Sequence, residues 1–202
     1  GKRAVVEDHF NELVIDLVNP AGQPERMQLV VRGYNDGFAF CYKIPDGKGP
    51  CVNVQSELTA YNFAGDYTAW FYNGENHNIG PEKLTETDGT RLPVMTVKAG
   101  DKHYMAIHEA CLETGAPLVL QSKGGESLFS VASKPTSLSP GYTSAWRVVL
   151  YGTTPGVLTD SHLLELLNPD PDSRYDFSWV KPGLAVWDWR INGAVWDGFT
   201  YG

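Results

Sequence analysis

The sequence predicts an all-β, mostly antiparallel sandwich, and three observations lead there. Apolar and polar residues alternate along most of the chain, which is the period of a strand with one buried face. These runs recur about every 8–12 residues with turn-forming residues between them, the rhythm of sandwiches and barrels. Finally, 21 Gly and 13 Pro occur among 202 residues, about 17% where about 12% is usual, which favours a turn-rich β protein over a helical bundle.

Taken in order, the first strand is expected over 13–18, where Leu13, Ile15 and Leu17 alternate with Val14, Asp16 and Val18. The runs 27–34 and 38–44 flank Asn35-Asp36-Gly37. Residue types that tolerate positive φ, placed between two β-rich runs, make this the clearest hairpin signal in the chain. Further strands are expected over 57–63, 67–72, 92–98, 102–110, 117–122, 127–133 and 145–152. Ala64-Gly65-Asp66, Ala99-Gly100-Asp101 and Lys123-Gly124-Gly125 supply turns. Only 155–160 and 161–167 read as helical; Pro155 suits a first helical position and Thr154 is placed to cap it. At Asn168-Pro169-Asp170-Pro171-Asp172 the texture becomes linker-like. Beyond it lie Trp179, Trp187, Trp189 and Trp196, four of the six tryptophans, which suggests that a second unit begins there.

Composition narrows the function. A net charge of −8 argues against nucleic acid or an anionic membrane as partner, since both reward clustered Lys and Arg. No run approaches the roughly eighteen apolar residues of a membrane span. Cys41, Cys51 and Cys111 share no paired spacing, so they read as buried free thiols rather than a zinc or redox site. Serine-hydrolase, zincin, calcium-sensor and phosphate-loop motifs are all missing from the sequence.

Two constellations carry chemistry. On a strand, His103, Met105, Ile107 and Glu109 share one face, and Tyr104, Ala106, His108 and Ala110 the other. A carboxylate closing a mostly apolar row must be paired, metal-bound or at the sheet's rim; the pattern alone favours the rim. His103 and His108 lie on opposite faces and do not chelate together. The second constellation is Trp179, Trp187 and Trp189 with Asp188. Flat rings plus a carboxylate suit sugars, whose C–H faces pack on aromatics while their hydroxyls need acceptors. A core cluster anchoring the linker explains the same residues.

Several segments together resemble glycoside hydrolase family 97, the α-glucosidase and α-galactosidase family common in gut Bacteroidetes. They are His9-Phe10-Asn11-Glu12-Leu13, Arg32-Gly33-Tyr34-Asn35-Asp36-Gly37-Phe38-Ala39-Phe40, Tyr104-Met105-Ala106-Ile107-His108-Glu109-Ala110, Ala145-Trp146-Arg147-Val148-Val149-Leu150, Leu166-Leu167-Asn168-Pro169 and Ser178-Trp179-Val180-Lys181-Pro182-Gly183 running into Trp187-Asp188-Trp189. The resemblance implies an antiparallel, galactose-mutarotase-like β-super-sandwich over 1–170 that lacks its first strands. It implies a linker over 171–202 with the first strand of a truncated (β/α)8 barrel, similar to residues 184–189. The catalytic acid and base of glycoside hydrolysis would then lie on later barrel strands, outside this chain. By its place in Ile107-His108-Glu109-Ala110, Glu109 matches the glutamate that the super-sandwich gives to a calcium ion. Calcium takes six to eight oxygens, so one glutamate alone should bind it poorly.

The resemblance further implies an α-linked oligosaccharide as ligand, with Trp187, Asp188 and Trp189 as substrate-binding residues, the remainder of the barrel as partner, and a periplasmic location. Exposed strand edges should favour a homodimer. Two other readings stay open: a stand-alone carbohydrate-binding module using Trp70 or the C-terminal tryptophans, and a ligand-free scaffold. A scaffold would pair Glu109 with a basic side chain and bury Trp187 and Trp189.

Overall fold

A computed structural model describes residues 5–18, 21, 24–72 and 78–184. Backbone contacts divide the chain into two units, Gly1–Pro169 and Asp170–Gly202. In the first unit the strands are β1 (Asn11–Val18), β2 (Pro24–Tyr34), β3 (Gly37–Lys43), β4 (Val52–Val54), β5 (Ala60–Asn62), β6 (Thr68–Tyr72), β7 (Asn78–Lys83), β8 (Asp88–Lys98), β9 (Tyr104–Ala110), β10 (Leu120–Lys123), β11 (Leu128–Val131), β12 (Thr136–Leu138) and β13 (Trp146–Gly152). Two short helices follow, α1 (Pro155–Asp160) and α2 (Leu163–Leu166).

The principal sheet runs β1-β2-β3-β13-β9-β8-β10-β11-β5, with β6 and β7 joined through β8, and β4 pairs with β12 as a separate ribbon. Every strand pair is antiparallel. The all-β expectation holds, and α1 spans the residues that Pro155 marks. Thr154 stands at its N-cap position in extended conformation, yet its side chain makes no capping hydrogen bond. The N–H of Val157 instead donates to the Thr154 carbonyl.

The central strands β9 and β13 are buried on both faces, one face against each of two cores, while β1 at the edge is largely exposed. Ala106 and Ala110 of β9 join Trp146, Val148 and Leu150 of β13 in one core, closed by Leu163 and Leu167 around α2. Ile107 of the same β9 faces the other core with Met95, Val97, Phe71, Leu120 and Phe129. The β2–β3 hairpin turns on Asn35-Asp36 with Tyr34 opposite Gly37. Glycine is required there by approach: a Cβ at Gly37 would sit 2.3 Å from the Val149 carbonyl oxygen of the neighbouring strand. Any larger residue would push β3 away from β13.

Several expectations need correction: the strands expected from 57 and from 117 begin at Ala60 and Leu120. The strand expected from 102 starts at Tyr104, because the hairpin turn runs on until Ala99 N–H donates to the His103 carbonyl. The three cysteines are all free, but only Cys41 is buried; Cys51 is exposed and Cys111 intermediate. Burial pushes the Cys41 thiol up to about 11, so it behaves as a small apolar side chain. No helix among the described residues is long and apolar enough to cross a membrane. In the second unit, Arg174 clamps Asp172 and the Tyr175 and Phe177 rings lie 6.2 Å apart. The segment resembling a first barrel strand falls almost wholly outside the described residues.

Candidate functional site

Glu109 does not sit at a hydrated rim. Its side chain is 8% exposed, on the face of β9 that Met105 and Ile107 also occupy. Pairing in the sheet sets Arg147 of β13 directly opposite it. Two adjacent strands thus deliver a carboxylate and a guanidinium to one point, and the Arg147 side chain is only 3% exposed.

A third group completes the cluster. Glu57, in the loop before β5, has its backbone N–H tied to Ser133 Oγ at 2.7 Å. It accepts from Arg147 Nε at 3.0 Å and from Nη2 at 2.7 Å, a bidentate fork. Arg147 Nη1 lies 3.5 Å from Glu109 Oε2 and the same distance from the Ala116 carbonyl oxygen. Glu109 Oε2 also accepts a short hydrogen bond from the Leu118 N–H. Burial, the largest single influence, works against the Arg147 charge. The hydrogen bonds and charges of Glu57, and the nearby Tyr61 and Glu109, outweigh it and raise the guanidinium pKa above its usual value. Two carboxylates therefore share one guanidinium, leaving one formal negative charge in excess at a site mostly removed from water.

Glu57 and Arg147 also border a cavity of about 760 Å³, whose other walls include Leu58, Val119, Leu138 and Tyr142. The lining is mainly apolar, and the ion pair marks its polar end. Near Arg147 but outside the cavity lining, Tyr61 has a buried hydroxyl without a hydrogen-bond partner among the described residues, and burial raises its pKa far above the usual phenol value.

His103 and His108 stand on different sides, as the alternation requires. His103 Nδ1 meets the Tyr151 hydroxyl at 2.7 Å. His108 Nδ1 accepts from the Glu109 N–H at 2.8 Å, and burial lowers its pKa. Trp187, Asp188 and Trp189 lie outside the described residues. Sequence reasoning did not single out Glu57 or Arg147, although Arg147 lies in a run of apolar residues, where a lone arginine calls for a buried partner. Nothing local marks Glu57.

Calcium coordination requires six to eight oxygens. Among the described residues no three His, Cys, Asp or Glu side chains gather to hold a metal. Among the described residues Glu109 is engaged through Oε2 alone, which leaves Oε1 as the oxygen this cluster can offer a metal.

These features define an antiparallel β domain with a buried carboxylate–guanidinium cluster. The comparisons define it further. The family model described as the N-terminal part of glycosyl hydrolase family 97 matches residues 1–169. The chain belongs to that family. A retaining alpha-galactosidase of Bacteroides thetaiotaomicron is 27% identical over 78% of this chain, and a probable retaining alpha-galactosidase of Streptomyces bingchenggensis is 29% identical over 83%. The chain spans 30% and 27% of the length of those relatives. Among solved structures, a family 97 enzyme from Pseudoalteromonas sp. strain K8, in complexes with acarbose and with panose, matches 91% of this chain and 29% of its own. The TM-score is 0.73 at 25% identity.

Proposed function

We propose that the Gly1–Pro169 unit is the non-catalytic wall of an α-glycosidase that hydrolyses α-galactosides or α-glucosides, and that Glu109 is one carboxylate ligand of its calcium ion. The observation that carries this reading is the placement of Glu109: a buried carboxylate held from Oε2 by Leu118 and Arg147, with Oε1 uncommitted among the described residues, in a cluster with excess negative charge. That charge would attract a divalent cation, whose remaining charge further oxygen ligands would balance. The remaining ligands, and the acid and base of hydrolysis, would come from a catalytic barrel, with Trp187, Asp188 and Trp189 near the substrate. A periplasmic setting belongs to the same proposal.

The pairing of Glu109 with Arg147 is also the arrangement that a ligand-free scaffold calls for, so the experiment must separate the two. The 202-residue chain alone is expected to show no hydrolysis of aryl α-galactosides or α-glucosides, with or without calcium. Calcium-dependent turnover would overturn the proposed division of labour. In a protein that joins this domain to a barrel, Glu109→Gln is expected to raise the calcium concentration needed for activity by at least about tenfold. An unchanged calcium requirement would leave the scaffold reading.

Self-association is a second part of the proposal. Among the described residues β1 pairs on one edge only, and Leu13 (58%), Val14 (48%) and Val18 (59%) are exposed. An apolar edge strand invites pairing with a second copy. Light scattering is expected to show a dimer fraction that grows with concentration and falls in Val14→Lys. A strict monomer at high concentration would rule this out.

A further inference from the structure

We propose that the cleft where β8 parts from β9 is a second ligand site, for a neutral mono- or disaccharide, on the sheet face opposite Glu109 and Arg147. The choice of a sugar rests on the glycosidase reading above; the cleft itself does not.

The cleft arises from strand geometry. β9 pairs with β8 from Tyr104 to Ile107 and no further, while β8 continues toward β10, pairing there through Asp88–Arg91. His108 is therefore the first residue of β9 beyond the fork. On the other edge of β8, Trp70 pairs with Thr96 but Tyr72 pairs with Leu92. Two steps along β6 match four along β8, and Pro93 and Val94 bulge out of the ladder. Bulges of this kind re-aim side chains and recur beside binding sites.

The resulting cleft has a volume of about 460 Å³ and is lined by Trp70, Tyr72, Pro93, Val94, Thr96 and His108, within the size range of small-molecule sites. Among the described residues its lining contains no Asp, Glu, Lys or Arg, which suits a neutral ligand. Trp70 and Tyr72 offer ring faces for sugar C–H groups, and the Thr96 hydroxyl can donate or accept. The donor at His108 is set by its neighbour. Nδ1 accepts from the Glu109 N–H, so the ring proton resides on Nε2. A fixed N–H donor, a hydroxyl and two aromatic faces around an uncharged cleft match a pyranose ring with its hydroxyls. The cation cluster plays no part, since it lies on the other side of the sheet.

The test is calorimetric titration of the 202-residue chain with maltose and with melibiose in EDTA, which removes calcium from the question. One of the two is expected to bind in the millimolar range. Binding should weaken about tenfold in Tyr72→Ala and in His108→Phe, each checked for an unchanged unfolding midpoint, and stay unchanged in Glu109→Gln. Should Tyr72→Ala unfold, Thr96→Val gives the same reading with a smaller loss. Absence of binding to both sugars, binding indifferent to the cleft variants, or binding lost in Glu109→Gln would each overturn the site. The glycosidase reading fails differently, through turnover by the chain alone.

Discussion

Arg147→Ala is expected to lower the unfolding free energy by about 3–5 kcal/mol, the cost of leaving buried carboxylates without their counter-charge. Glu57 loses a bidentate partner, and Glu109, whose side chain is 8% exposed and bound to the Leu118 N–H, loses its cation. Urea unfolding measures the effect as a shift in midpoint at constant slope. The companion variant Arg147→Met with Glu57→Gln and Glu109→Gln should recover most of the loss, because replacing a whole buried charge cluster is often close to neutral. A loss below about 1 kcal/mol in Arg147→Ala would mean that the cluster is hydrated, as exposed ion pairs are. The cluster would then be too wet for the excess charge at Glu109 to favour a divalent cation.

Phe129→Ala is expected to cost a similar amount, about 3–5 kcal/mol, by a different mechanism. Phe129 of β11 is 0% exposed and lies at the centre of the second core, with the Phe71 ring 5.6 Å away and the Phe63 ring 6.4 Å away edge-on. Its neighbours come from strands fixed by their own ladders, so the cavity left behind cannot collapse fully. Phe129→Leu, which retains most of the volume, should lose much less. Equal losses in the two variants would point to strain at β11 rather than to cavity formation. Arg147 and Phe129 act on the same unit through charge and through packing, and the comparison separates the two.

Much of the sheet was legible in the chain. Alternation marks β1, β3, β6, β9 and β13, and Asn35-Asp36 marks the hairpin, because these signals depend only on neighbours a few residues apart. The elements that alternation does not reveal have physical reasons. β4 and β12 are three residues long, too short to display a period. β7 contains Gly80-Pro81, which normally argues against a strand. Thr154 satisfies the residue preference of a cap without making the bond, since preference describes frequency and the bond requires a rotamer.

The candidate site shows the same division. Alternation alone assigned Glu109 and His108 to opposite faces, and the two faces prove to carry different environments. That Glu109 is buried could not be read locally, because the partner that permits burial is Arg147, brought opposite by pairing of β9 with β13. Glu57 reaches the cluster across 90 positions of sequence from Arg147. The fork that opens the cleft beside His108 follows from β8 leaving β9 to pair with β10, a choice of register and partner that no single strand encodes. The sequence by itself determined which residues form strands, where the chain turns and which side of a strand each side chain takes, for these follow from short-range sterics and solvation. The tertiary structure decided which strands meet, and hence which charges share a buried site, since contact across the sheet is set by the packing of the whole core.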